Sequence, residues 1–166
     1  MKVVKIKVTL KPLNRMHVGS GRRAENPLID VPIVRYSDGE PYIPGSTLKG
    51  RIRSIYQARF GEAANLFGDA NIPSRIFFDD LQPSGTVETG TTYGIAIERE
   101  TMSVREGALY AYEYIEPGSV SFTGFVTIEN PSSEEVGRVV ECLRLLDVYP
   151  LGKGSFFKAE VEVLEV

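Results

Sequence analysis

Residues 3–10 alternate strictly, with Val4, Ile6, Val8 and Leu10 separated by Lys5, Lys7 and Thr9. A period of two marks a strand with one buried and one wetted face. The period changes near residue 47. Leu48, Ile52, Ile55, Tyr56 and Phe60 recur at three- and four-residue spacing, which predicts a helix over 47–60 with Ser46 or Thr47 as its N-cap. Strands follow over 75–80, 93–98, 109–116 and 119–129, and Pro117-Gly118 predicts that the last two form a hairpin. Ser132 and Glu135 have the spacing of a capping box, and Val136, Val139, Val140 and Leu143 supply the apolar stripe of a second helix. Gly152 and Gly154 make a short loop before a closing strand over 157–166.

Strand, helix, strands, helix, strand is the order of an α+β sandwich of the ferredoxin-like or RNA-recognition-motif-like kind, with two main helices on an antiparallel sheet. A chain of 166 residues fits one such domain, spanning 1–166. Residues 14–46 form a long connection carrying Gly19, Gly21, Pro27, Pro32, Gly39, Pro41, Pro44 and Gly45. A loop this long in a small domain is functional or disordered. Leu28, Ile29, Val31, Ile33 and Val34 favour the ordered form.

Composition narrows the class. Hydrophobic residues make up 42% and charged residues 25%, ordinary values for a soluble globular protein. No apolar run approaches the roughly 20 residues that span a bilayer. The first residues read as a strand and not as a signal peptide. Cys142 is the single cysteine, which excludes an internal disulfide, and no Cys/His cluster has metal-site spacing. The expectation is a cytoplasmic protein with no membrane partner.

Charge changes the picture. Residues 1–60 hold twelve Lys/Arg against four Asp/Glu, a balance of +8, while residues 61–166 hold seven against eighteen, a balance of −11. Such an asymmetry points to a basic face for polyanions beside an acidic remainder. An unevenly charged solvated surface is the alternative.

The segment 42–54, YIPGSTLKGRIRS, concentrates the candidate chemistry. A helix start favours acidic residues, yet Lys49, Arg51 and Arg53 occupy these turns. Gly50 sits inside the helical run at a cost of about 1 kcal/mol relative to Ala. The G-x-x-x-x-G-K-[ST] order is absent, which argues against nucleotide hydrolysis. Backbone N–H groups, the Ser46 and Thr47 hydroxyls and Lys49 would still converge where an anion sits, and Gly50 would permit its close approach. A tolerated glycine among exposed cations is the competing explanation.

A second anion-friendly turn is MHVGSGRR, residues 16–23, with Ser20, Arg22 and Arg23. His17 is the only histidine and the standard candidate for a base near neutral pH; a structural role is the alternative. FTGFVTIE, residues 122–129, partly matches the aromatic strand of an RNA-recognition motif, with Ser121 where a Lys or Arg would stand. Alternation puts Phe122, Gly124, Val126 and Ile128 on one face, and core packing accounts for them. Asp79 and Asp80, as neighbours on a strand, would face opposite sides and make poor co-ligands for a metal.

As a set, HVGSG, LIDVPIV, GEPYIPGSTLKGRIRS, LFGD…SRIFFDD and ALYAYEYIEPGSVSFTGFVTI resemble the RAMP superfamily of CRISPR-associated proteins. Within it the chain is most similar to the repeated backbone subunit of type III effector complexes. The resemblance implies head-to-tail stacking of copies along a guide RNA, alongside other effector subunits. It implies that Lys49 and Arg53 hold guide-RNA phosphates; the two anion-friendly turns add His17, Ser20, Arg22, Arg23, Ser46 and Thr47 as candidate RNA contacts, and the last loop and strand add Lys153 and Lys158. It also implies cleavage of a bound target RNA by an aspartate in the loop after the first strand, aided by a divalent metal (Mg²⁺ or Mn²⁺). Asp30 stands at that position. A structural role for Asp30 is the alternative, capping a turn before Pro32 or pairing with Arg22 or Arg23.

Two departures from the family pattern stand out. The terminal glycine-rich loop reads LGKGSFFKAEV and offers only Lys153 and Lys158. The chain is also short, so residues 84–108 are expected to form a reduced thumb. Three readings follow: a guide-binding backbone subunit that cleaves target RNA, a non-catalytic assembly subunit, and a standalone RNA-processing endoribonuclease using His17.

Overall fold

The computed structural model describes residues 1–19, 29, 32–98, 103–152 and 154–165, with backbone alone at 94–98 and 103–110. Asp30, Ser20, Arg22, Arg23 and Lys153 lie outside the described residues. Strand β1 covers Val3–Pro12, β2 Ile76–Phe78, β3 Gln82–Gly85, β4 Thr89–Glu98, β5 Ser103–Ile115, β6 Val120–Glu129 and β7 Phe157–Glu165. The helices are α1 (Gly45–Phe60), the single turn α2 (Ala64–Phe67) and α3 (Ser133–Arg144), which runs into a 3₁₀ turn at Leu145–Asp147. None of these helices is long and apolar enough to cross a membrane.

Alternation of the first strand builds the sheet. Val4, Ile6, Val8 and Leu10 are buried on one face of β1, and burial of each such side chain contributes about 1.5–3 kcal/mol. β1 lies between β6 and β7, antiparallel to both, in the order β2-β6-β1-β7, and β3 pairs with the remaining length of β6 beside β2. The helices cover the apolar face. Leu48, Ile52, Ile55 and Tyr56 of α1 and Val139, Cys142 and Leu143 of α3 join Phe122, Val126, Ile128 and Phe157 in one core. This is the ferredoxin-like α+β arrangement.

α3 starts as its sequence predicts, with Glu135 N donating to Ser132 Oγ at 3.1 Å and Ser132 N to Glu135 Oε1 at 3.0 Å.

The hairpin across Pro117-Gly118 does not form as expected. Gly118 turns at φ 112°, but β5 pairs with β4 in a separate two-stranded sheet, and β6 pairs with β1, β2 and β3. Both edges of β6 are already occupied, so the turn hands the chain from one sheet to the other. The region expected as a reduced thumb, 84–108, contains the end of β3, all of β4 and the start of β5.

The start of α1 also differs. Its N-cap is Pro44, with φ −61° and ψ 135°, and neither Ser46 nor Thr47 caps it. The reason is close packing one residue later: a Cβ at Gly45 would stand 2.1 Å from the Phe78 carbonyl oxygen. Only a glycine lets the chain enter the helix there.

Candidate nucleic-acid interface

The amides at the start of α1 are engaged inside the protein. Gly45 N donates to Asp80 Oδ1 at 2.8 Å, and Thr47 N and Leu48 N both donate to Pro44 O at 3.1 Å. The acidic partner that a helix start favours therefore comes from Asp80, beyond β2, and not from the first turn. Ser46 is exposed and Thr47 half-buried. An anion cradle made of these three amides is thus not open; the cations are what remains.

Lys49 and Arg53, one turn apart, dock α1 onto the segment that follows α2. Lys49 Nζ donates to Ser74 Oγ at 3.1 Å, and Arg53 Nη1 to the Gly68 carbonyl at 2.7 Å. Gly68 is forced by its φ of 81° and by a virtual Cβ 2.7 Å from Ser74 N. Both acceptors are neutral. The contacts fix where the charges sit without cancelling them, and each uses one of the three donors of lysine or the five of arginine.

Lys49, Arg51 and Arg53 belong to the described cations that have no carboxylate partner, with Lys5, Lys7, Arg144 and Lys158. Arg15, Arg35, Arg59, Arg75 and Arg138 each pair with a carboxylate: Glu116, Glu113, Glu141, Glu135 and Glu134 respectively. Among the described residues, no carboxylate pairs with Lys49, Arg51 or Arg53. Gly50, between them, is exposed, and a Cβ there would meet nothing within 4 Å. No internal packing requires that glycine.

His17 is buried, with 7% of its surface exposed. Its Nδ1 lies 2.5 Å from the Glu113 carbonyl, its backbone N donates to Ser155 Oγ at 2.8 Å, and its ring stands edge-on to Tyr112. It ties the first loop to β5 and to the glycine-rich loop before β7. An imidazole so enclosed is positioned as a structural node and not as a surface contact.

The long loop is ordered where it is described. Its two limbs meet through the Val34 N–H on the Val18 carbonyl at 2.9 Å and the bridge between Gly19 and Ile33. Ile33 is buried in the core. Lys158 is exposed at the start of β7, opposite Lys11, and the two flank a cavity of about 350 Å³ beside the 118–121 turn.

Three residues were not singled out as partners by the sequence. Glu113 alternates with the buried Ala111 and Ile115, and an acid on the apolar face of a strand signals a buried ion pair. Asp80 as a helix-start partner and Tyr149 beside Arg51 carry no such local signal.

A family model of the RAMP superfamily matches residues 9–156. The chain belongs to the RAMP superfamily. Among solved structures, it is similar to a chain of the type III-B Cmr-beta complex bound to cognate target RNA, with TM-score 0.77 and 17% identity over 99% of this chain. The match spans 61% of that chain's length. It is likewise similar to a chain of the apo-state type III-B Cmr-beta structure, with TM-score 0.66 and 17% identity, covering 98% of this chain and 97% of the other. These likenesses establish the shared fold. No curated protein sequence matches the chain.

Proposed function

We propose that this protein is a guide-RNA-binding backbone subunit of a type III CRISPR effector complex, whose copies stack head to tail along the guide and cleave a bound target RNA. The observation that carries the reading is the cluster of three cations in the first half of α1, Lys49, Arg51 and Arg53, none with a carboxylate partner among the described residues, whereas Arg59 at the end of the same helix is paired with Glu141. Uncompensated cations, two of them (Lys49 and Arg53) held in place by neutral acceptors, beside a glycine with open space above it suit a phosphate backbone that must come close. Superfamily membership and the likeness to a complex solved with target RNA support the same ligand.

Cleavage rests on Asp30 and a divalent ion. Among the described residues no group of three or more His, Cys, Asp or Glu is gathered to hold a metal, so Asp30 would hold a hydrated ion together with RNA phosphates, an oxygen-only set that suits Mg²⁺ or Mn²⁺. The ion would supply charge stabilisation at the scissile phosphate. Asp30 would fix its place. The buried imidazole of His17 disfavours the standalone endoribonuclease.

The Lys49→Ala/Arg53→Ala variant tests the RNA reading. Each lost phosphate contact flattens the log–log salt dependence of single-strand binding by about 0.7, so the pair should remove about 1.4. A folded double variant with unchanged affinity and slope would refute it.

A further inference from the structure

Arg51 points away from Lys49 and Arg53. On a helix of about 3.6 residues per turn, residues 49 and 53 share a margin while residue 51 falls on the opposite one. There it lines a groove of about 190 Å³ with Ser54, Ile55, Ala58, Arg59 and Tyr149. Its guanidinium carbon lies 5.8 Å from the centre of the Tyr149 ring. Its Nε is buried with no hydrogen-bond partner. No other described arginine has a buried nitrogen in that condition.

That Nε is closed to solvent, and the Arg51 side chain makes no hydrogen bond or ion pair among the described residues, so an anion from outside would meet the guanidinium at its Nη groups. Arg59, the other cation of the groove, is paired with Glu141 across the α1–α3 contact, which leaves Arg51 as the unfilled charge. Tyr149 is 42% exposed, a large aromatic ring reached by solvent. An anion acceptor at Arg51 beside an aromatic platform at Tyr149 matches the two halves of a nucleotide, a phosphate and a base.

Two features favour RNA over a carboxylate-bearing protein segment. The exposed residues of α1 between the two margins, Ser46, Gly50, Ser54 and Gln57, are uncharged, so no acidic side chain separates the groove from Lys49 and Arg53. The margins are also only about one helix diameter apart, some 10 Å, a span that a continuous strand bridges.

We infer that the Arg51–Tyr149 groove is a nucleotide subsite for single-stranded RNA, with the phosphate on the Arg51 guanidinium and the base stacked on the Tyr149 ring. The RNA track thereby crosses α1 instead of following one margin. This rests on the RNA-binding reading above and extends its contacts to the opposite margin of α1 and to Tyr149.

The test is binding of the full chain to an oligouridylate and to an abasic ribose-phosphate chain of equal length, by fluorescence anisotropy across a salt series. Arg51→Gln, which keeps the stem packing, should flatten the salt slope by about 0.7 on both probes. Tyr149→Ala should weaken the oligouridylate about five-fold or more and leave the abasic chain unchanged, while Tyr149→Phe retains binding. Thermal melting by circular dichroism confirms that each variant is folded.

If Arg51→Gln and Tyr149→Ala keep wild-type affinity and slope while Lys49→Ala/Arg53→Ala loses both, the subsite is refuted and the RNA reading stands. If none of the variants changes binding, both fail. If the groove variants leave RNA binding intact but reduce self-association in sedimentation velocity, the groove takes a carboxylate of a second copy and the inference is overturned.

Discussion

Arg35 and Glu113 form a two-pronged ion pair, Nη1 on Oε1 and Nη2 on Oε2, each at 2.5 Å. Glu113 is almost fully buried and its Oε1 also accepts the Ile33 N–H at 3.1 Å. One carboxylate thus clamps the returning limb of the long loop to β5. The carbonyl of the same residue holds His17 on the outgoing limb. His17 and the Ile33–Arg35 segment are thus fastened to a single strand position.

Replacing Glu113 should therefore loosen the loop in a graded way. Glu113→Gln keeps an acceptor for the Ile33 amide but removes the charge opposite Arg35, costing about 2 kcal/mol given that Arg35 is partly solvated. Glu113→Ala loses both and should cost about 1 kcal/mol more. Urea denaturation of the two variants measures the difference, and equal losses would contradict the role of the Ile33 hydrogen bond.

Two glycines of α1 should respond in opposite directions. Gly45→Ala drives a methyl group into the Phe78 carbonyl, 2.1 Å away, and should destabilise by about 2 kcal/mol. Gly50→Ala meets open space and should stabilise the helix by about 1 kcal/mol. The same Gly50→Ala variant should bind RNA more weakly, because the methyl group stands where the strand approaches. A stabilised variant with undiminished RNA affinity would show that Gly50 has no part in binding.

Asp30→Asn removes the proposed ligand for the metal while conserving size. Guide and target binding should persist and target cleavage should fall to background; a chelator should do the same to the wild-type protein. Undiminished cleavage by the variant in saturating Mg²⁺ would leave the assembly-only subunit as the better account.

Acid should reveal the helix-start carboxylate of α3. Burial alone would raise the Glu135 carboxyl, but the hydrogen bond from Arg75, at 2.6 Å, and those from Ser132 outweigh it and hold it below the ordinary 4.5. A folded-state value below the unfolded one means stability that is present above pH 4.5 and lost as pH falls through the depressed value. Glu135→Gln should therefore be less stable than wild type by about 1 kcal/mol at pH 7, and the gap should close on acidification. A gap that is constant with pH would mean that the charge of Glu135 contributes nothing.

Local pattern determined what depends on neighbours in the chain. The alternation of β1 and β6 fixes which side chains face the core, because a strand's period is two whatever it pairs with. Ser132 and Glu135 start α3 because a capping box is closed within four residues. The basic opening of α1 was legible for the same reason, since charge and dipole are both local. The superfamily, too, could be read from motifs in order along the chain.

Tertiary contacts decided the rest. Whether Ser46 or Pro44 capped α1 depended on the Phe78 carbonyl, a residue 33 positions from Gly45 that no local rule brings into contact. The partner of β5 depended on which edges of β6 were already filled. His17 carried the same ring in either role, and only its burial against Glu113, 96 residues on, turned it from a surface base into a structural node. Arg51 and Arg53 are near twins in sequence. The loop after α2 gave one a carbonyl to hold, and the end of α3 gave the other a tyrosine ring and no acceptor, because hydrogen-bond partners are assigned by proximity in space and not along the chain.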